Sequence, residues 1–336
     1  MKSFAARVLP VISASLLALS FATPAQAAVT TIDLGVASGY SAFIFGNVGS
    51  STANSINSGF HDVEGRLAVG GNAWLSSFSV GQKSTAGASA PSIVTGGSLN
   101  IGSGAIYNGA GAGKAVYGVS NANATINTNQ WFDAGTFSKG NASTLDFGAA
   151  KQQLTALSND VSKLKPTGTV VIENSGYTLR GDINADINIF NIDSSSLQNL
   201  SLDLSSIKST AHIIINDSAT TINLSGGYSS FSGFADRTLF NFTNATSTSL
   251  TTYAWGSILA PNSDFSGTGH LEGTLVANSV SAKNAWGSQV EIGATGFTAA
   301  NISAVPEPGT YAMLLAGLCV LFLRRRKPAS TMLQAA

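Results

Sequence analysis

The chain has 336 residues, of which 44% are hydrophobic and 10% charged, with 36 glycines, a single cysteine and a formal net charge of zero. That profile excludes a disordered chain, which requires low hydrophobicity and high net charge. One cysteine excludes a disulfide scaffold or a four-thiolate zinc site. Nucleic acid is disfavoured as a partner because the only dense basic cluster, Arg324-Arg325-Arg326-Lys327, lies at the far C-terminal end.

Residues 1–27 place Lys2 and Arg7 before an apolar run over 8–21 and end in Ala25-Gln26-Ala27. A basic start, a short apolar run and a small-x-small triplet predict a signal peptide, removed by signal peptidase before Ala28. An N-terminal membrane anchor is the competing reading. The shortness of the run and the flanking Pro10 and Pro24 weigh against it.

From Ala28 the chain reads as short β-rich runs separated by Gly, Asn, Ser and Thr. Leu67-Ala68-Val69, Ser92-Ile93-Val94, Ala115-Val116-Tyr117, Val170-Val171-Ile172, 212–215, 221–224 and Ser257-Ile258-Leu259 are the clearest strands. One helix interrupts them. Phe147, Ala150, Leu154, Leu157, Val161 and Leu164 recur at spacings of three and four behind Asp146, and Lys165-Pro166 closes the run. This predicts an amphipathic helix over about 146–165, capped by Asp146, with its apolar stripe against a sheet.

Internal repetition narrows the all-β choice. Glu64-Gly65-Arg66-Leu67-Ala68-Val69 is echoed by Glu272-Gly273-Thr274-Leu275-Val276-Ala277, and Gly256-Ser257-Ile258-Leu259-Ala260 precedes the latter at an offset of seventeen residues. Repeats of that length favour a right-handed β-solenoid of three or four rungs with the helix along one side. A β-sandwich remains the alternative architecture.

Behind the body, Pro306-Glu307-Pro308 precedes fifteen uncharged residues, 309–323, and then the basic run 324–327. Fifteen helical residues reach about 22 Å, short of the roughly 30 Å hydrocarbon core. The basic end would stay cytoplasmic. This tripartite order resembles the PEP-CTERM sorting signal of Gram-negative bacteria, which implies processing by exosortase at the inner membrane. An ordinary C-terminal membrane anchor is the competing reading. The domain plan is therefore a signal peptide (1–27), a body (28–304), a sorting signal (305–327) and a tail (328–336). Removing both ends takes away six of the 17 basic residues and one of the 17 acidic ones, so the body is net −5. Cys319 is lost with the sorting segment.

Phe45-Gly46-Asn47 followed by the run from Asp62 to Ala73 is similar to the opening signature of the choice-of-anchor A family. Gly256-Ser257-Ile258-Leu259-Ala260-Pro261-Asn262 with the run from Leu271 to Ala277 is similar to its closing motif, and Asp146-Phe147 with the helix matches its middle. The resemblance covers about residues 29–300. It implies an exported adhesive domain related in shape to ice-binding β-solenoids, acting at the cell surface or in an extracellular polysaccharide matrix.

The chemistry-bearing residues are few. Neither Gly-x-Ser-x-Gly nor His-Glu-x-x-His occurs. His61, Glu64, His270 and Glu272 flank the two similar motifs and would form a metal cluster if the first and last parts of the body were adjacent. Hydrogen bonding of turn backbone is the preferred reading for them. Asp182-Ile183-Asn184-Ala185-Asp186 imitates half of an EF-hand loop but lacks its glycine and final Glu, and the alternation of Ile183, Ile187 and Ile189 with Asp182, Asp186 and Asn188 predicts a half-buried strand with a polar outer face instead. Arg180-Gly181-Asp182 and the Gly109–Gly113 run are read as chance matches to an integrin tripeptide and a phosphate loop. Trp74, Phe78, Trp131, Phe132, Tyr228, Phe231, Phe234, Trp255 and Trp286 are expected mostly in the core or at the solenoid ends, with sugar stacking as the functional alternative. Scattered threonines without a ladder disfavour ice binding. The expectation is a non-enzymatic adhesive or structural protein without a cofactor; the alternative is a metal-dependent enzyme acting on extracellular polysaccharide.

Overall fold

A computed structural model describes residues 31–52, 55–173, 175–281, 290–302 and 317–318, with 129–134 as backbone. The signal peptide lies outside them, as does the sorting segment apart from Gly317 and Leu318. Among the described residues no helix is long and apolar enough to cross a membrane.

Three parallel ladders line the body, and successive coils of the chain visit them in turn, the third ladder ending at Tyr253–Trp255 where the coil before it makes a 3-10 turn over Ser229–Arg237. One coil is Leu67–Val69, Ala73–Leu75 and Phe78–Val80, and the next begins at Ile93–Thr95 and continues along Leu99–Asn108. The first ladder contains ten strands in the order 136–139, 114–117, 93–95, 67–69, 42–44, 275–280, 257–267, 238–241, 212–217 and 187–192. This is a β-solenoid, and the expected three or four rungs are too few. The short count came from the one clear repeat, whose offset of seventeen residues is the true rung between Ile258 and Leu275. Other rungs are longer, as between Ala42 and Leu67 or Leu67 and Ile93, because turns and short strands of unrelated sequence fill them.

The strand order also shows that the solenoid is not wound in one pass. Coils run outward from Ala42–Ile44 to Thr136–Lys139; the helix then crosses back, and the second half winds from Ile187–Ile192 to Leu275–Val280. Ala42–Ile44 therefore sits between Leu67–Val69 and Leu275–Val280, joining the earliest coil to the latest. Thr31–Ile32 pairs antiparallel with Ala300–Asn301, so the two ends of the described body also meet.

The helix, Phe147–Ser162, begins where Asp146 Oδ1 accepts the Ala149 amide at 2.9 Å, as its sequence predicted. It covers the first ladder. Phe147, Ala150, Leu154 and Val161 pack on Phe43, Ala68, Val94, Ile214, Leu239, Leu259 and Val276, which point outward from that ladder. Their neighbours Ala42, Ile44, Leu67, Val69, Ile213, Ile215 and Leu275 point into the solenoid interior. Because both faces are buried, these strands read as continuous apolar triplets rather than alternating ones. The docking is completed by polar groups. Asn191, Asn216 and Asn241 stack on successive rungs. Asn241 Nδ2 donates to Asn216 Oδ1 at 2.8 Å and to the Ser158 carbonyl at 3.0 Å, while Ser158 Oγ donates back to Asn241 Oδ1 at 2.6 Å. Asn216 Nδ2 reaches the Val161 carbonyl at 3.2 Å, so the ladder grips the last turns of the helix.

The repeated Phe45-Gly46-Asn47 and Gly70-Gly71-Asn72 motifs are corner devices. Asn47 Oδ1 accepts the Asn72 amide and Asn72 Oδ1 accepts the Ser98 amide, each at 2.8 Å, so each asparagine holds the corner of the next rung. Rungs stack so closely there that a Cβ on Gly96 would strike the Gly70 carbonyl.

One predicted strand is displaced. Residues 182–186 form a turn, with Asp182 Oδ1 accepting the Asn184 amide, and the strand starts only at Ile187. Ile183 is half exposed, Asp186 pairs with Lys208 at 2.6 Å, and the buried Asn188 caps the turn through the Asp182 amide. The alternation failed because Asn188, read as an outward residue, is an inward cap. Arg180 is held between Glu173 and Asp203, and the glycines after Tyr107 make a tight hairpin in which Asn108 faces Gly111.

Candidate binding surface

The third ladder brings the two ends of the sequence side by side. Its neighbouring strands are Phe78–Val80, Phe60–Val63, Val290–Ile292, His270–Glu272 and Tyr253–Trp255. In the last three, the middle or outer apolar residues Leu271, Ala254, Val290 and Ile292 fill the interior, which turns the alternate residues outward. Register then lines up Ser79, Asp62, Glu291, His270 and Tyr253 in one column across five strands, with Glu272 beside Trp255 in the next.

His270 is the hub. Its Nδ1 lies 3.3 Å from Glu291 Oε2 and its Nε2 3.3 Å from Glu272 Oε2. Its ring stacks on Tyr253, with centroids 4.3 Å apart and planes 13° apart, and Tyr253 in turn contacts Trp255 at 4.4 Å. The Tyr253 hydroxyl donates to Glu272 Oε2 at 3.3 Å, and Thr295 Oγ1 donates to Glu272 Oε1 at 2.5 Å. Gly293 supplies the space in which the Glu272 carboxylate lies. Burial opposes a charge on His270, but the bonds to Glu272 and Glu291 outweigh it and raise the imidazole above its ordinary value. The same bond from His270, supported by Thr295 against the cost of burial, pulls Glu272 down to about 2. Burial raises Asp62, offset in part by the Ser79 hydroxyl at 2.6 Å.

The sequence-derived metal group is thus brought onto neighbouring strands but is not arranged as a metal site. His270 spends both ring nitrogens on carboxylates, and Glu64 pairs with Lys83 at 2.7 Å. His61 is exposed beside Asp62. Among the described residues, no three His, Cys, Asp or Glu side chains are placed to hold a metal ion. The polar groups bond one another across rungs more than they bond turn backbone. Glu291 and Tyr253 were missed, although Val290-Glu291-Ile292 and Tyr253-Ala254-Trp255 carry the alternation that marks an outward residue between or beside inward ones.

The aromatic residues divide as burial dictates. Phe78, Tyr228, Phe231 and Phe234 belong to the core, and Tyr228 donates its hydroxyl to the Leu197 carbonyl. Trp74 and Trp255 are half-buried on the outer face. Trp286 and the side chains of Trp131 and Phe132 lie outside the described residues.

What the arrangement offers is a surface. An aromatic step (Tyr253, Trp255) meets a row of carboxylates in which Glu272 and Glu291 both bond the His270 imidazole.

Comparison with known proteins matches residues 33–290 to a family described as "Putative Ice-binding-like adhesive domain", and residues 304–327 to the PEP-CTERM protein-sorting motif. No curated protein matches the chain. Among solved structures, an ice-binding protein from the Antarctic ascomycete Antarctomyces psychrotrophicus is 13% identical, with 82% of this chain and 100% of that chain covered and a TM-score of 0.31. An ice-binding protein from an Antarctic biological consortium is 14% identical, with 81% and 93% covered and a TM-score of 0.26. Superpositions that loose fix neither the fold nor a ligand. The family match spans most of the body, and the chain belongs to the ice-binding-like adhesive domain family.

Proposed function

We propose that this is an exported, non-enzymatic protein of the choice-of-anchor A kind, which acts as an adhesive or structural component at the cell surface or in the extracellular matrix of a Gram-negative bacterium. Signal peptidase cuts before Ala28, and exosortase recognises Pro306-Glu307-Pro308 and processes the segment that Arg324, Arg325, Arg326 and Lys327 hold at the inner membrane. The observation that carries this reading is the order of the two matches, an adhesive domain over 33–290 followed directly by a sorting motif over 304–327. The non-enzymatic part is supported by His270, whose two nitrogens are both engaged by carboxylates rather than presented to a substrate or metal. An acidic body of net −5 also suits a surface that does not bind nucleic acid or anionic lipid.

The test compares cells with and without exosortase. The expected result is a shortened protein at the surface of the first and a full-length, membrane-retained protein in the second, with loss of surface attachment when the gene is deleted. An intact tail in both strains would overturn the sorting reading, and unchanged attachment would overturn the adhesive one.

A further inference from the structure

The second ladder, which includes Ala73–Leu75, Leu99–Asn108 and Ile126–Ala134, carries a groove distinct from the His270 column. Trp74, Asn100 and Asn127 are register partners on three successive rungs, and the hairpin Ser50–Thr52 with Ser55–Asn57 stands over them. Between hairpin and ladder lies an open cavity of about 530 Å³, lined by Ser51, Ile56, Trp74, Asn100, Asn127 and Thr128 among others. Leu99 and Ile101 point into the interior on either side of Asn100, so the strand pleat turns the amide outward. Gly102 keeps the floor low, since a Cβ there would meet Ser76 and Ile56.

We infer that this groove binds a neutral polysaccharide chain, laid across the rungs with a sugar ring against the Trp74 indole. The inference rests on the adhesive reading and supplies its ligand class. Three features of the groove select that ligand. First, among the described residues the lining contains no charged side chain although the body is net −5, so neither ionic attraction nor a desolvated charge from them favours an acidic or basic partner. Second, Asn127 Nδ2 donates to Asn100 Oδ1 at 2.8 Å and Asn100 Nδ2 to the Ala73 carbonyl at 3.5 Å, which orients both amides; each keeps one more Nδ2 hydrogen to donate, and Asn127 Oδ1 accepts no bond among the described residues. Hydroxyl-bearing ligands need both kinds of partner in a fixed array. Third, the half-buried Trp74 indole N–H donates to no partner among the described residues, and Trp74 lines the cavity together with Ile56. An aromatic face flanked by fixed amides matches the alternating C–H faces and hydroxyl edges of a pyranose. The rung spacing of about 4.8 Å sets Trp74, Asn100 and Asn127 at regular intervals, which suits an extended chain rather than a single sugar. Among the described residues the lining holds no Asp, Glu, His, Cys or Lys, and the inference is one of binding alone.

The experiment measures retardation of the full-length purified protein in gels containing neutral glucan, xylan, mannan or galactan, with polygalacturonate and heparin as charged counter-probes. Soluble hexasaccharides of the retarding polymer, followed by tryptophan fluorescence, separate binding of free sugar from binding of polymer alone. At least one neutral polymer is expected to retard the protein. Trp74→Ala should weaken that binding tenfold or more, as loss of a central aromatic contact does. Asn127→Ala, at an exposed position where folding is not at stake, should weaken it severalfold. Retardation by none of the four neutral polymers, preference for the charged ones, or equal binding by Asn127→Ala and the parent would each overturn the inference. Cells that attach normally with a protein that binds no neutral glycan would leave the adhesive reading standing without this ligand. Glycan binding without any effect on attachment would do the reverse.

Discussion

Replacing Asn241 by alanine tests whether the asparagine ladder is what docks the helix. Asn241 is fully buried, and its amide serves Ser158, Asn216 and Thr243 at once. After truncation, Ser158 Oγ and the Ser158 carbonyl still have Thr243 Oγ1 at 3.2 Å. Asn216 Oδ1 has no such substitute and becomes a buried acceptor without a donor, at a cost of about 1–3 kcal/mol. Loss of the remaining net bonds adds about 1–2 kcal/mol, which puts the expected destabilisation at about 2–5 kcal/mol. Asn191 supplies the internal control. It stands at the exposed end of the same ladder and accepts one bond from Asn216 at 3.1 Å, so Asn191→Ala should cost under about 1 kcal/mol. Urea unfolding monitored by circular dichroism gives both values, provided the slope with denaturant is unchanged. Amide exchange should also accelerate selectively in Phe147–Ser162 of the Asn241 variant. A loss below about 1 kcal/mol for Asn241→Ala, or equal costs at positions 241 and 191, would refute the argument, because either result means the apolar stripe alone holds the helix.

Three further outcomes follow from the stacking of the rungs. The His270–Glu272 pair contributes to stability in a defined pH window. The raised imidazole stabilises the fold fully below its ordinary value of 6.5 and loses that contribution as pH rises through the raised value. The depressed carboxyl contributes fully above 4.5 and loses it as pH falls towards about 2. The difference in melting temperature between the parent and Glu272→Gln should therefore be largest between 4.5 and 6.5 and shrink on both sides, and a difference independent of pH would refute the pairing. In the same series, Glu291→Gln should lower the His270 titration followed by NMR, whereas an unmoved titration would show that Glu291 does not reach the ring. Gly81 has φ +90°, and a Cβ there would run into the Tyr107 carbonyl of the next rung. Gly81→Ala should cost at least about 2 kcal/mol through the left-handed backbone and the displaced rung together, measured by the same unfolding assay; a neutral substitution would mean that the corner relaxes freely.

The groove on the second ladder and the polar column share one physical origin. A solenoid repeats its backbone at fixed spacing, so whichever residues stand at equivalent outward positions become a regular array without any further organisation. Sequence positions far apart, such as Asp62 and Glu291, become strand neighbours because the second half of the chain winds back to meet the first.

Much of this was legible without coordinates. The Asp146 cap and the three-and-four spacing fixed the helix, apolar triplets marked strands, doubly buried at Leu67-Ala68-Val69 but partly exposed at Val170-Val171-Ile172, and the likeness of 256–260 to 273–277 gave one true rung. These are local signals, set by hydrogen-bond geometry and side-chain periodicity within a few residues. The rung count, the return path of the chain and the company each outward residue keeps were not legible, since they depend on which coils stack. His270 and Glu272 were visible as candidates, whereas their partners Glu291 and Tyr253 were ordinary residues in strands until the register put them within bonding distance. Asn188 shows the limit from the other side. Its alternation read as an exposed strand position, and only the packing of the turn before it decided that the side chain is buried. Local sequence thus determined which segments are strand and helix, and the tertiary stacking alone decided which side chains meet, because a parallel ladder brings together residues that share a rung position and not a stretch of chain.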